Sequence, residues 1–176
     1  MKKSISKTLA KIAIFTALLC IVSPLSIPLG NGVSLSFATL IIFIASAVLN
    51  PLEAFISSAV YLIIGCVGVP VFQNFTGGIS SIVGPTGGYL ISYPVCALVS
   101  GLLLRVRRNF LWYNLSFFIG VIIVHTVGYF WFSYVTTGAI TPSVLLITVV
   151  TFLPIDIVKG VCASLLSVKI VPTLQK

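Results

Sequence analysis

Asp156 and Lys159 stand three residues apart in the run Phe152-Leu153-Pro154-Ile155-Asp156-Ile157-Val158-Lys159-Gly160. On a helix, residues at i and i+3 share a face. Their neighbours are apolar, so this spacing would carry two opposite charges together into a water-poor setting. There they can neutralise one another as a structural pair, or they can offer a polar ligand an acceptor and a donor. The motif by itself allows both. The only other acid is Glu53, just after Asn50-Pro51. A first-turn carboxylate there would stabilise the start of a helix through its dipole.

A second concentration of polar groups lies between Gly68 and Tyr89, where Gln73, Asn74 and Thr86 accompany five glycines from Gly77 to Gly88. Glycine permits positive φ and close backbone approach, so this segment is expected to fold tightly and to present backbone groups and amides. Phe72, Phe75, Ile79 and Ile82 make it too apolar for a loop suspended in water. It is expected to fold back onto the body of the protein.

Other chemistries find less support. Ser80 and Ser81 with His125 suggest a hydroxyl nucleophile and a base, the elements of an intramembrane serine hydrolase. The serines, however, do not open a helix after a Gly-x-Ser-Gly motif, and His125 lies in an aromatic run that suits a structural imidazole. The sequence has no Gly-x-x-x-x-Gly-Lys-Ser/Thr phosphate loop, so ATP-driven work would need another subunit. Cys20, Cys66, Cys96 and Cys162 are far apart in apolar segments, and no metal site, cofactor or disulfide is expected.

The elements that must position these residues are membrane helices. Of 176 residues, 59% are apolar and 7% charged, against roughly a quarter charged in a soluble domain. Such a chain must face lipid. We read a single domain over residues 1–176, all-α, with six transmembrane helices near residues 8–27, 35–49, 51–68, 86–105, 111–136 and 143–172. Pro142 and Pro154 predict a short helix, a break near residues 152–154, and a final helix that begins at Pro154. The N-terminal run resembles a signal peptide but has no small-x-small cleavage site, and is kept as the first helix.

The net charge of +8 comes from clusters bordering the apolar runs, with no interleaved aromatic face, so nucleic acid is not an expected partner. The basic residues fall at the N-terminus, at Arg105, Arg107 and Arg108, and at Lys169 and Lys176. The segments 28–36, 69–85 and 137–142 have none. Six spans place every basic cluster on one side and every uncharged loop on the other, with both termini cytoplasmic. The glycine-rich loop between spans three and four is then extracellular.

The runs Gly68-Val69-Pro70-Val71-Phe72, Phe75-Thr76-Gly77-Gly78 and Gly84-Pro85-Thr86-Gly87-Gly88-Tyr89-Leu90 closely resemble the BioY family of biotin-specific S components. The segment Pro154-Ile155-Asp156-Ile157-Val158-Lys159 resembles that family's Pro-x-Asp-x-x-Lys motif, and the resemblance covers essentially the whole chain. It implies a substrate-binding subunit, not an enzyme, in a bacterial cell membrane. Its partners would be a transmembrane coupling protein and two ABC-type ATPases. The runner-up functions are an S component for another vitamin and the serine hydrolase.

Biotin presents a ureido group with two N–H donors and a carbonyl acceptor, a thioether and a valerate tail. The candidate contacts are Asp156, Lys159, Asn74 and Gln73 for polar groups, with Phe75, Tyr89, Thr86 and Gly87 around the ring and tail. Ala10, Ala13 and Ala17 form a small-residue stripe on the first helix. The family uses such alanines to dock the coupling protein, and internal packing is the other reading. One family feature is missing: where the loop after the first span usually reads Pro-Val-Pro-Ile-Thr-Leu-Gln, this chain has Gly32-Val33-Ser34-Leu35-Ser36-Phe37-Ala38. With Ala38 in the place of the glutamine, the case for that loop in polar recognition is weakened.

Overall fold

The computed structural model describes residues 2–28 and 34–174; Gly32, Val33 and Lys176 of the sequence reading lie outside them. The chain is a bundle of helices: α1 Lys2–Val22, α2 Ala38–Val48, α3 Pro51–Cys66, α4 Ile79–Val83, α5 Gly87–Leu103, α6 Phe110–Thr137, α7 Pro142–Leu145 and α8 Leu153–Leu174. Two short strands, β1 Ser26–Pro28 and β2 Ser34–Ser36, pair antiparallel between α1 and α2, with Ile27 opposite Leu35. A 3₁₀ turn covers Gln73–Phe75 and a π turn covers Leu146–Val150.

Local chemistry sets most helix ends. The α3 helix starts at Asn50 with Pro51 as its first residue, where the missing N–H costs nothing. Glu53 reaches back to accept from the Asn50 backbone N–H at 3.1 Å and from the Asn50 side-chain amide at 3.2 Å. This is the helix-start role expected of Glu53. Asn109 caps α6 by accepting from the Trp112 N–H at 2.8 Å, and α6 ends at Gly138 in the left-handed conformation, φ 70°.

The expected break near Pro154 is present: α7 and the π turn run to Val150, and α8 starts afresh at Leu153. The hairpin was not anticipated and shortens two expected spans. A turn at Ser23 and Pro24 ends α1 at Val22, and residues 26–28 extend as a strand. Ser36 accepts the Ala38 N–H at 3.1 Å, so α2 begins there rather than at residue 35. Three helical segments, 5–22, 110–137 and 142–173, are long and apolar enough to cross a membrane. The apolar helices α2, α3 and α5 have 11, 16 and 17 residues.

The core sits where α5 packs against α3 and α6, and α2 against α8. Phe43 of α2 stacks on Phe117 of α6 with centroids 4.8 Å apart, and both rings are fully buried. In lipid, helices associate through close packing and interhelical hydrogen bonds, each worth roughly 0.6 kcal/mol. Ser116 donates to the Ser100 carbonyl at 2.8 Å across the α5–α6 seam, and Thr16 donates to the Ser57 carbonyl at 3.1 Å between α1 and α3.

The segment between α3 and α5 is tied down rather than free. Phe72 is fully buried, edge-on to Tyr61, and the Tyr61 hydroxyl donates to the Val71 carbonyl. The ring of Phe72 lies where a side chain on Gly65 would be, so only glycine lets it in. The Gly78 N–H donates to the Gly65 carbonyl at 2.7 Å, and Trp131 of α6 donates to the Gly84 carbonyl at 2.9 Å. Of the four apolar residues expected to pin this segment, Phe72 is buried and Ile82 packs on the core, whereas Phe75 and Ile79 are exposed.

Candidate functional site

Asp156 lies in the first turn of α8, where the helix dipole favours a carboxylate. Three side chains from three helices converge on it. Lys159 donates to Oδ1 at 2.7 Å, Thr39 of α2 donates to Oδ1 at 3.2 Å, and His125 Nε2 of α6 lies 3.0 Å from Oδ2. Lys159 also donates to the Ser36 backbone carbonyl at 2.7 Å, which fastens β2 to α8. All four residues are at least 92% buried.

Burying an unpaired charge costs several kcal/mol, and this arrangement offsets that cost by pairing. An ionised carboxylate only accepts, so His125 Nε2 presents its N–H to Asp156. The opposite nitrogen, His125 Nδ1, is buried and has no hydrogen-bond partner among the described residues. Lys159 balances the charge of Asp156, so with a neutral imidazole the cluster has no net charge. Oδ1 already accepts two hydrogen bonds and Oδ2 one. The free acceptor capacity of the cluster is therefore concentrated on Oδ2.

The cluster forms the floor of a small cavity of about 40 Å³, lined also by Leu35, Gln73, Tyr89, Tyr93, Val124 and Phe152. Tyr89 is positioned from behind. Its ring fills the space a side chain on Gly128 would take, its hydroxyl donates to the Thr148 carbonyl at 3.1 Å, and it stands edge-on to His125. Beyond Gln73 lies a shallower polar groove of about 250 Å³, lined by Asn74, Thr76, Ser80, Ser81, Gly84, Pro85 and Thr86. Gln73 borders both spaces.

Of the eight residues expected to contact a ligand, Asp156, Lys159, Gln73 and Tyr89 meet at the cavity. Asn74 and Thr86 line the outer groove instead. Asn74 takes a left-handed conformation, φ 55°, and its side-chain oxygen accepts from the Ser26 hydroxyl at 2.8 Å, which ties the 3₁₀ turn to β1. Phe75, also left-handed at φ 57°, is 66% exposed and is not among the residues lining the cavity. Gly87 is buried against the Ile82 carbonyl and Trp131, a packing position between α4, α5 and α6.

Sequence reasoning missed Thr39, Tyr93 and the Ser36 carbonyl, and assigned His125 to structure alone. The weakened loop contributes after all, through its backbone and through the first turn of α2. The only available signal was that the chain's single histidine falls in an apolar span. The hydrolase reading loses its geometry: His125 is bonded to Asp156, and Ser81 donates to the Gly77 carbonyl at 3.3 Å in the outer groove. Ala10, Ala13 and Ala17 all lie on the exposed side of α1.

Comparison with known proteins gives a consistent picture. The model of the BioY family matches residues 1–176. A biotin transporter BioY of Thermotoga maritima is 34% identical over 164 residues, 93% of this chain and 95% of that protein. A probable biotin transporter BioY of Pyrococcus horikoshii is 34% identical over 126 residues, 72% of this chain and 74% of that one. Among solved structures, the S-component for biotin from an ECF-type ABC transporter superposes with a TM-score of 0.87 at 28% identity, covering 96% of this chain and 93% of that one.

Proposed function

The chain belongs to the BioY family, and from that premise we propose that it captures biotin as the substrate-specific S component of an ECF-type transporter. It is a transport subunit and not an enzyme. The observation that carries the reading is the buried cluster of Asp156, Lys159, Thr39 and His125. Asp156 Oδ2 keeps room for a ureido N–H, and Lys159 has one N–H left beyond Asp156 and Ser36 for a ureido carbonyl. Tyr89, Tyr93, Val124 and Phe152 supply the flat and apolar surfaces that a fused ring requires.

Pockets that enclose small-molecule ligands usually measure roughly 300–1,000 Å³, far more than the 40 Å³ here. Ligand entry in this reading displaces the Gln73 turn and the Phe152 side chain, which borders the break before α8. The chain crosses the membrane six times, the shorter α2, α3 and α5 being completed by the turns that flank them. Both termini are cytoplasmic, the cavity opens toward the outside, and the residues form one domain. The segregation of basic residues supports this topology.

The partners in this reading are a transmembrane coupling protein and two ABC-type ATPases. The exposure of Ala10, Ala13 and Ala17 supports docking along that stripe of α1. Ala13→Trp is expected to abolish uptake in cells supplying the other subunits while leaving biotin binding intact; loss of both would point to misfolding and count against the stripe. The function itself is tested by isothermal titration of the detergent-purified, ligand-free chain with biotin, thiamine and riboflavin. One-to-one binding of biotin alone is expected. Heat from either of the other vitamins and none from biotin would move the chain to another substrate.

A further inference from the structure

The ten Lys and Arg residues of the chain have an unusual distribution. Nine lie at residues 2–11, 105–108 and 169–176, and the tenth is Lys159. Between Lys11 and Arg105, and again between Arg108 and Lys159, the sequence has no Lys or Arg at all. Every residue lining the outer groove falls in the first of these stretches. A ligand carboxylate that enters past Gln73 can therefore meet only one cation, Lys159.

Lys159 is already committed. Its ammonium donates to Asp156 at 2.7 Å and to the Ser36 carbonyl at 2.7 Å, and its charge balances that of Asp156. A carboxylate placed beside this pair would be a third charge competing with Asp156 for Lys159, in a setting that penalises charge strongly. The neutral ring system brings donors and an acceptor without that penalty. The cluster therefore favours the ring inward and the carboxylate outward, toward the groove.

The outer groove offers the tail neutral donors. Thr76 spends its hydroxyl on the Gln73 carbonyl at 2.9 Å, and Ser81 on the Gly77 carbonyl at 3.3 Å. The hydroxyls of Ser80 and Thr86 hydrogen-bond no other described residue, and the Gln73 side-chain amide, between the two spaces, is likewise uncommitted among the described residues. A hydroxyl or an amide hydrogen-bonds a carboxylate oxygen and a carboxamide equally well in type, because each can donate to one group and accept from the other.

We infer that the outer groove formed by Gln73, Ser80 and Thr86 is a tail site that reads hydrogen bonds and not charge, so the chain accepts biotin derivatives whose carboxylate is amidated. The ligand class is the fused ureido ring with an acid or a neutral amide tail. This inference rests on the biotin reading of the cavity. It also implies weak salt dependence of biotin affinity, since no exposed cation attracts the carboxylate.

The test is a parallel titration of the purified full-length chain with biotin and with biotinamide, at low and at high salt. Dissociation constants within about threefold of one another, with little salt dependence, are expected. An amide that binds more than about thirtyfold more weakly than biotin would overturn the tail site while leaving the biotin reading in place. Absence of binding by both ligands would overturn the biotin reading and this inference with it. Ser80 is exposed, so Ser80→Lys should fold normally, and it is expected to create a preference for biotin over biotinamide of about tenfold. If that preference already exists in the unsubstituted chain and Ser80→Lys leaves it unchanged, the inference fails.

Discussion

Glu53 and Asp156 are the two carboxylates of the chain, and each lies in the first turn of a helix. Glu53 turns back on its own helix start, accepting from the backbone and side chain of Asn50 and from Thr8 across the α1–α3 contact. Asp156 instead gathers donors from α2, α6 and α8, and lies 8% exposed at the floor of a cavity. Both obey the same dipole preference. The surroundings separate them: a carboxylate whose oxygens are taken up by its own cap holds structure, whereas a carboxylate fixed by distant partners, with acceptor capacity left over, can recognise a ligand.

Substitutions that exchange these roles would break the comparison. The largest effect is expected for Asp156→Asn, which leaves Lys159 buried without its counter-charge. Breaking a buried pair typically costs about 3–5 kcal/mol. Biotin affinity in titration should fall at least a hundredfold, and the thermal midpoint should drop. The double variant Asp156→Asn/Lys159→Met should recover much of the midpoint but none of the affinity, and recovery of both would place recognition elsewhere.

Smaller effects sharpen the comparison. His125→Ala removes one donor that fixes Oδ2 and should weaken biotin about tenfold, close to 1.4 kcal/mol, whereas His125→Gln, which can still donate, should weaken it less. Equal losses for the two would mean that His125 acts by packing. Glu53→Ala should lower stability by about 1 kcal/mol through the loss of the cap and leave biotin affinity unchanged in the same titration. Phe75→Ala should alter affinity by less than about twofold, because the ring is exposed and does not line the cavity.

The sequence revealed those features that depend on local spacing. The pairing of Asp156 with Lys159 follows from i,i+3 geometry, the break before α8 from Pro154, and the helix start at Asn50 from Pro51 and Glu53. It did not reveal partners that meet only after folding. His125 is 31 residues from Asp156, Thr39 is 117 away from it, and Ser36 is 123 from Lys159. Nor could composition give the direction of a side chain. Phe75 and Phe72 look alike in the sequence, yet left-handed backbone at Asn74 and Phe75 leaves one ring outside while Phe72 fills the notch at Gly65. The hairpin was hidden for another reason: its strands, Ser26–Pro28 and Ser34–Ser36, have three residues each, too few for an alternating pattern to show.

The most direct test of the account is a crystal structure of the chain with biotin bound. The account predicts the ureido ring on the floor of the cavity, with one N–H about 2.7–3.2 Å from Asp156 Oδ2, and the carboxylate in the outer groove beside Ser80 and Thr86. A carboxylate paired with Lys159, with the ring lying outward past Gln73, would contradict it.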